Sequence, residues 1–179
     1  EHSGVHTFYV GKNAKVRYVE RHYGEGDGLG ENIMNPTTVV EMDEDSYMEM
    51  ETTQIKGVDS TVRTTNAKLG PRATLIIREK VMTHGRQLAK SDFTVDLDGE
   101  DCHTNVISRS VAKDQSRQVF LARINGNARC YGHSECDAII MGNAKVKAIP
   151  GIEAASEDAM LVHEAAIGKI AGDQIVKLM

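Results

Sequence analysis

One short phrase recurs along the chain: a glycine or acidic corner, then a small residue, then alternating apolar and polar residues. The phrase returns at intervals of roughly 30 residues at first and of about half that near the end of the chain, and such long repeats of strands and corners are typical of a solenoid. The sequence therefore predicts an all-β chain folded as a β-solenoid. The small residues are Ala14, Ser46, Ala73, Cys102, Ala128, Ala144 and Ala159.

The alternation within each phrase predicts which side chains face the interior. Residues two apart share one face of a strand, so the small residue sets the phase for those that follow it. After Ser46 we expect Met48 and Met50 inside and Tyr47 and Glu49 outside. We expect Gly and Asn at the corners to supply left-handed backbone conformations. An antiparallel sandwich is the competing fold, because it too has short strands with regular turn signals.

Composition narrows the function classes. The chain has 179 residues and a net charge of -5 with interspersed signs, so a nucleic-acid partner is not expected. No apolar run approaches the roughly 20 residues of a membrane span, and we expect a cytoplasmic protein. Three cysteines, an odd number, favour free thiols. The glycine-rich segment 24–30 lacks the lysine and hydroxyl of a phosphate-binding loop, so we expect a flexible loop there and no ATP hydrolysis.

The end of the chain predicts a different element. Ile167, Ile170, Ile175 and Leu178 fall near one helical stripe, with charged residues elsewhere. We therefore expect a β-solenoid core over residues 1–164 and the beginning of a helical domain over residues 165–179, with further chain to follow.

The cysteines are the first candidates for chemistry. Cys130, His133 and Cys136 lie close together in sequence, and thiols and imidazole are ligands that soft metals and iron-sulfur clusters accept. On a continuous strand Cys130 and Cys136 share a face and His133 points away, so all three meet only across a bend, which Gly132 could supply. Cys130 and Cys102 also fit small core positions, and that interpretation is preferred for both. The neighbour of Cys102, His103, is then an outward residue.

A second candidate is the pair His163 and Glu164. Adjacent strand residues point to opposite faces, so these two ligate one ion only with a bulge or with help from another coil or chain.

Several of these segments together resemble one known family. The segment from Glu135 to Gly142, the run from Pro150 to Glu153 and the stretch from His163 to Gln174 look like the SufB/SufD scaffolds of iron-sulfur cluster assembly. The phrase from Gly11 to Ala14 resembles the start of that family's core, and the similarity covers nearly the whole chain. The resemblance implies a right-handed parallel β-helix followed by a helical domain.

The resemblance also implies a function. It implies a scaffold that is not itself an enzyme, carrying a transient iron-sulfur cluster in a complex with a SufC-type ABC ATPase and with a second SufB/SufD-type chain or a copy of itself. A sulfur-delivery protein is a further partner under this interpretation. Cys136 and Glu164 match cluster ligands of SufB, and His163 matches the position of a functional histidine of SufD. Ligands drawn from two chains would form a cluster and release it when the chains move.

Two other classes stay open on the residues. A structural, self-associating β-solenoid would need none of these candidate ligands. A β-helix carbohydrate-active enzyme would use clustered carboxylates with aromatic platforms. The chain has no Trp, five Tyr and three Phe, which disfavours the carbohydrate-active enzyme.

Overall fold

The computed structural model describes residues 1–23 and 32–170, and within them every regular element is a β-strand. The glycine-rich segment 24–30 lies outside the described residues. The strands are β1 (Val5–Val10), β2 (Lys15–Tyr23), β3 (Ile33–Met34), β4 (Thr37–Met42), β5 (Tyr47–Lys56), β6 (Ser60–Leu69), β7 (Thr74–Thr83), β8 (Leu88–Leu97), β9 (Cys102–Ala112), β10 (Arg117–Gly126), β11 (Cys130–Met141), β12 (Lys145–Ala154) and β13 (Ala159–Ile170).

Consecutive long strands alternate between two sheets, which defines the coils of a solenoid. Sheet A has the order β1-β4-β6-β8-β10-β12, with β3 beside β6, and sheet B has the order β13-β11-β9-β7-β5-β2. Every pairing between these strands is parallel. Over its described residues the chain therefore forms a parallel β-solenoid of about 6 turns, and the antiparallel sandwich is wrong.

The register confirms the long period that the sequence predicts. Val5 pairs with Thr37 one coil later, and Thr37 pairs with Thr64 in the coil after that. Cys102 pairs with Cys130, and Cys130 pairs with Ala159. The small residue of this coil is thus Cys130, whereas Ala128 lies in the preceding turn and Ala144 precedes a strand of sheet A. The phrase recurs at shorter intervals near the end because it appears there in both sheets.

The corners before sheet B hold residues in the left-handed region. Asn13, Asp45, Arg72 and Asp101 have φ of 60°, 58°, 54° and 58°, each one residue before the small residue of its coil. Asn and Asp tolerate this conformation, as the sequence predicts for Asn, but Arg72 adopts it too. Its guanidinium Nε lies 2.7 Å from Asp45 Oδ1 in the preceding coil, which stabilises the unusual corner.

The interior combines an apolar core with a buried polar group. Met48 and Met50 are buried as predicted, and the same core includes two phenylalanines of the facing sheet, Phe93 and Phe120. Arg63 and Glu79 are also buried, at 4% and 3% exposure. Buried charges of this kind require partners, and the solenoid supplies them.

The predicted helix beginning at Ala165 is wrong for residues 165–170. They continue β13, with Ala165 opposite Cys136 and Ile170 opposite Met141 of β11. The neighbouring strand takes up the backbone hydrogen bonds that a helix would make internally. The rest of the predicted helical segment, residues 171–179, lies outside the described residues. Over the described ranges, 1–23 and 32–170, the chain has no helix long and apolar enough to cross a membrane.

Candidate functional site

The three predicted ligands lie on β11 and β13, which are the last two strands of sheet B. The register places Cys136 opposite Ala165, Ser134 opposite His163, and Glu135 opposite Glu164. Since paired residues of parallel strands share a face, this register decides which side chains can meet.

Cys136 lies on the inner face of β11, within the core of the solenoid. It is 3% exposed, and burial raises the pKa of its thiol to about 11, with a smaller contribution from the carboxylate of Glu79. Ser108 lies between these two residues in the register, because it pairs with Cys136 on one side and with Glu79 on the other. The thiol is therefore protonated at neutral pH and must lose its proton to bind a metal.

The other two cysteines occupy core positions, as the preferred interpretation predicts. Cys102 and Cys130 are buried, and burial raises the pKa of both thiols, that of Cys102 to about 12. His103 is exposed beside Cys102. Both cysteine side chains belong to the apolar core cluster, where a small buried thiol packs as an apolar group does.

The bend that Gly132 could supply is absent, since β11 runs unbroken from Cys130 to Met141. Gly132 is instead required by packing. A Cβ at this position would lie 2.7 Å from Ile124 Cγ2 and 2.8 Å from Leu161 Cδ2. Cys130 and Cys136 therefore share the inner face while His133 lies on the outer one, and these three residues do not form one site.

His163 and Glu164 point to opposite faces, as strand parity predicts. His163 is opposite Ser134 and lies on the inner face of the sheet, whereas Glu164 is opposite Glu135 and lies on the outer face. Both side chains are exposed, because the last coil has no further coil over it in the described part of the chain. Cys136 and His163 are thus on one face, and Glu164 is on the other.

The imidazole that lies near Glu164 belongs to His133. Its Nε2 is 4.0 Å from Glu164 Oε2, and its Nδ1 is 3.0 Å from Asn105 Oδ1. Strand parity predicts an outward direction for His133 but no partner, because the pairing depends on the exact register between strands one coil apart.

Two further carboxylates, those of Glu135 and Asp137, lie on the same outer face of β11. Arg109 lies 3.3 Å from a carboxylate oxygen of Glu135 and 3.7 Å from one of Asp137. A hydrogen bond with Glu135, together with burial and the charge of Glu135, raises the pKa of the Asp137 carboxyl. Acidic groups therefore outnumber the nearby arginine on this surface of the two strands. Within residues 1–23 and 32–170, no three His, Cys, Asp or Glu side chains stand close enough together to hold one metal ion.

A second polar group, which no sequence pattern indicates, lies inside the early coils. Arg63 Nη1 donates a 2.8 Å hydrogen bond to Glu20 Oε2, and His22 Nε2 lies 2.6 Å from Glu20 Oε1. Glu79 accepts hydrogen bonds from the hydroxyls of two serines, and one of its oxygens lies 3.9 Å from Arg63 Nε. Glu20 and Arg63 are 43 positions apart in sequence, and a separation of this size leaves no local signal.

These features define the class of the protein: a parallel β-solenoid whose last two coils carry a buried thiol and an outer histidine–carboxylate pair. Over residues 1–179 the chain matches the family model described as "SUF system FeS cluster assembly, SufBD core domain". The chain belongs to the SufBD family of iron-sulfur cluster assembly proteins.

Curated relatives agree with this assignment. The chain is 33% identical over 172 residues to an iron-sulfur cluster assembly SufBD family protein of Methanocaldococcus jannaschii, covering 95% of this chain and 54% of that protein. It is 29% identical over 180 residues to one of Archaeoglobus fulgidus, covering 99% and 47%. It is 27% identical over 180 residues to one of Pyrococcus horikoshii, covering 99% and 54%. The chain spans about half the length of the curated relatives it matches.

Proposed function

We propose that this chain is a scaffold subunit on which a transient iron-sulfur cluster is assembled and then released. In this proposal it acts in the cytoplasm with a SufC-type ABC ATPase and with a second SufB/SufD-type chain or a copy of itself, and a sulfur-delivery protein supplies it. The chain is not an enzyme in this role, and ATP is hydrolysed by the SufC-type partner.

The position of the candidate ligands is the observation that carries the proposal. Cys136, His163 and Glu164 all lie on β11 and β13, at the end of sheet B where β13 has a free edge in the described structure. The residue beside Cys136 on that last strand is Ala165, which has a small side chain. Only one strand, β13, therefore lies between the Cys136 thiol and a chain that docks at this end of the sheet. Several strands lie between that end and the residues of the middle coils.

The division of faces supports a cluster shared between chains. Cys136 and His163 share the inner face, whereas Glu164 is outside. Thiolate is the soft ligand that iron-sulfur clusters require, while imidazole and carboxylate are harder and bind iron less durably. A mixed ligand set completed by a second chain would form the cluster when the chains meet and would release it when they part.

Anaerobic reconstitution with iron and sulfide tests the proposal. Thiolate-to-iron charge-transfer absorption is followed in the wild type, in Cys136→Ala and in the matched controls Cys130→Ala and Cys102→Ala. Loss of the absorption in Cys136→Ala alone is the expected result. Equal absorption in all four proteins would remove Cys136 from the site, and absence of absorption in all four would overturn the scaffold role of this chain.

A further inference from the structure

His133 and Glu164 lie close together on the outer surface of β11 and β13. A hydrogen bond on the other side of the His133 imidazole determines which of its nitrogens carries the proton. Asn105 Oδ1 is an acceptor only, so His133 Nδ1–H donates to it over 3.0 Å. In the neutral ring, Nε2 then carries a lone pair rather than a proton. Glu164 Oε2, which is also an acceptor, lies 4.0 Å from this nitrogen.

Two acceptors in this arrangement suit a cation. Their separation of 4.0 Å is too long for a hydrogen bond. An ion bound to both atoms at about 2.1 Å with a tetrahedral or octahedral angle needs them roughly 3.0–3.4 Å apart, so the side chain of Glu164, which is 66% exposed, must rotate toward the imidazole by up to about 1 Å. Glu135 and Asp137 add negative charge nearby, with Arg109 as the counter-charge that contacts both. The local field therefore favours a cation.

We propose that His133 and Glu164 form an entry site for ferrous iron on the outer face of sheet B, and that Asn105 is the positioning residue that fixes the His133 ring. The proposal rests on the proposed function for the identity of the metal. Imidazole and carboxylate both accept iron(II), and a site with two protein ligands leaves the remaining positions to water. Such a site holds the ion loosely enough to pass it on.

The two ligands differ in exposure, which suits transfer. The side chain of His133 is 14% exposed and is anchored by Asn105, whereas that of Glu164 is 66% exposed. The imidazole therefore provides a fixed point of capture. The carboxylate is open to solvent and lies on β13, the strand at the free edge of the sheet in the described part of the chain.

Anaerobic calorimetric titration of the protein with ferrous iron alone tests this site. We expect His133→Gln and Glu164→Gln each to weaken iron binding about tenfold or more. The iron affinity of the double variant should be no lower than that of the single variant with the lower affinity. Asn105→Leu should weaken binding by about 10-fold, because the His133 ring loses the hydrogen bond that orients it. Asn105→Asp keeps an acceptor for Nδ1–H and should restore most of the affinity, which a merely structural role would not produce.

Matched controls separate this site from general surface effects. His103→Gln removes an exposed histidine from the next strand of the same face, and Glu153→Gln removes an exposed carboxylate from sheet A. Both should bind iron as the wild type does. Wild-type affinity in His133→Gln, or an equal loss in His103→Gln, would overturn the proposal.

The titration contains no sulfide and does not depend on cluster formation. If reconstitution fails while iron binding still requires His133 and Glu164, the scaffold proposal fails and the cation site stands. If Cys136-dependent clusters form in the wild type while His133→Gln keeps wild-type iron affinity, the scaffold proposal stands and the cation site fails.

Discussion

Cys136 and Glu164 lie on neighbouring strands of one sheet, one position apart in register, yet their side chains are on opposite sides of it. Cys136 is opposite Ala165 on the inner face, and Glu164 is opposite Glu135 on the outer face. The backbone of the sheet lies between its two faces and blocks a shared ion. Within one chain, the soft ligand and the hard ligand must therefore act on iron at separate places.

This separation predicts different losses for the two residues. Cys136→Ala should abolish thiolate-to-iron absorption after reconstitution and leave ferrous iron affinity in calorimetry unchanged. Glu164→Gln should weaken ferrous iron binding about tenfold, because it removes one of two ligands. The two substitutions are measured by both methods, singly and together. A loss of ferrous iron affinity in Cys136→Ala as large as that in Glu164→Gln would show that the two residues share one ion.

Much of the fold is predictable from local pattern, because a solenoid repeats a local rule. The small residue, the alternation after it and the corner before it each depend on a few neighbouring positions, so the pattern alone places Met48 and Met50 in the core, where they lie. The failure at residues 165–170 has a physical cause. Ile167 and Ile170 fit a helical stripe, but the strand that decides the outcome lies one coil earlier, where Ala138 and Met141 pair with them.

The site is less predictable, because it depends on register. The coils differ in length, since the step from Val5 to Thr37 is longer than the step from Thr37 to Thr64, and a shift by a single position moves every side chain to the other face. Strand parity alone separates His163 from Glu164 correctly. It cannot predict that His133 lies near Glu164, since no local sequence pattern connects these two residues.

Gly132 lies on the inner face of β11, where the surrounding side chains leave no room for a larger residue. Gly132→Ala should destabilise the protein by about 1–3 kcal/mol, because the added methyl meets Ile124 and Leu161 in a filled interior. Gly168→Ala is the matched control, since a Cβ there has no atom within 4 Å. Its effect should stay within about 0.5 kcal/mol of zero. Urea unfolding gives the free energy of unfolding of both variants. Equal values would mean that the side chains around Gly132 rearrange to make room for the added methyl group.

The buried guanidinium of Arg63 should be costly to remove. Arg63→Met should cost about 3–5 kcal/mol, because it leaves the buried carboxylates of Glu20 and Glu79 without their cation. Arg123→Met removes an exposed ion pair with Asp92 and should cost less than about 1 kcal/mol. The free energies of unfolding in urea decide between these outcomes. A cost for Arg63→Met no larger than that for Arg123→Met would mean that water reaches the interior carboxylates.

The Cys136 thiol should make the protein sensitive to alkaline pH. Burial raises its pKa to about 11 from an ordinary value of 9.0, so the folded protein holds this proton more tightly than the unfolded chain does. The stability that this thiol contributes is complete below about pH 9 and is lost as the pH rises through about 11. With allowance for solvent screening, its loss should be about 1–2 kcal/mol. Cys136→Ala should show a flatter decline above pH 9 in pH-dependent unfolding, and an unchanged slope would place a deprotonated thiol in the native state.

Acid should act on the opposite end of the solenoid, at Glu20. Burial of Glu20 opposes ionisation, but hydrogen bonds and charge from His22 and Arg63 prevail and hold the pKa of this carboxyl at about 2, against an ordinary value of 4.5. A lowered pKa means that the folded state binds this proton less readily than the unfolded chain. The contribution is therefore present above about pH 4.5 and is lost as the pH falls through about 2.

Glu20→Gln isolates this carboxyl. With allowance for solvent screening, the variant should be less stable than the wild type at pH 7 by about 2 kcal/mol, and the difference should shrink steadily between about pH 5 and about pH 2. Glu51→Gln, which removes a carboxylate paired at the surface with Lys80, is the control and should follow the wild-type curve closely. Chemical unfolding at several pH values provides the measurement. A difference between Glu20→Gln and wild type that stays constant from neutral pH to about pH 2 would mean that Glu20 acts through its shape rather than its charge.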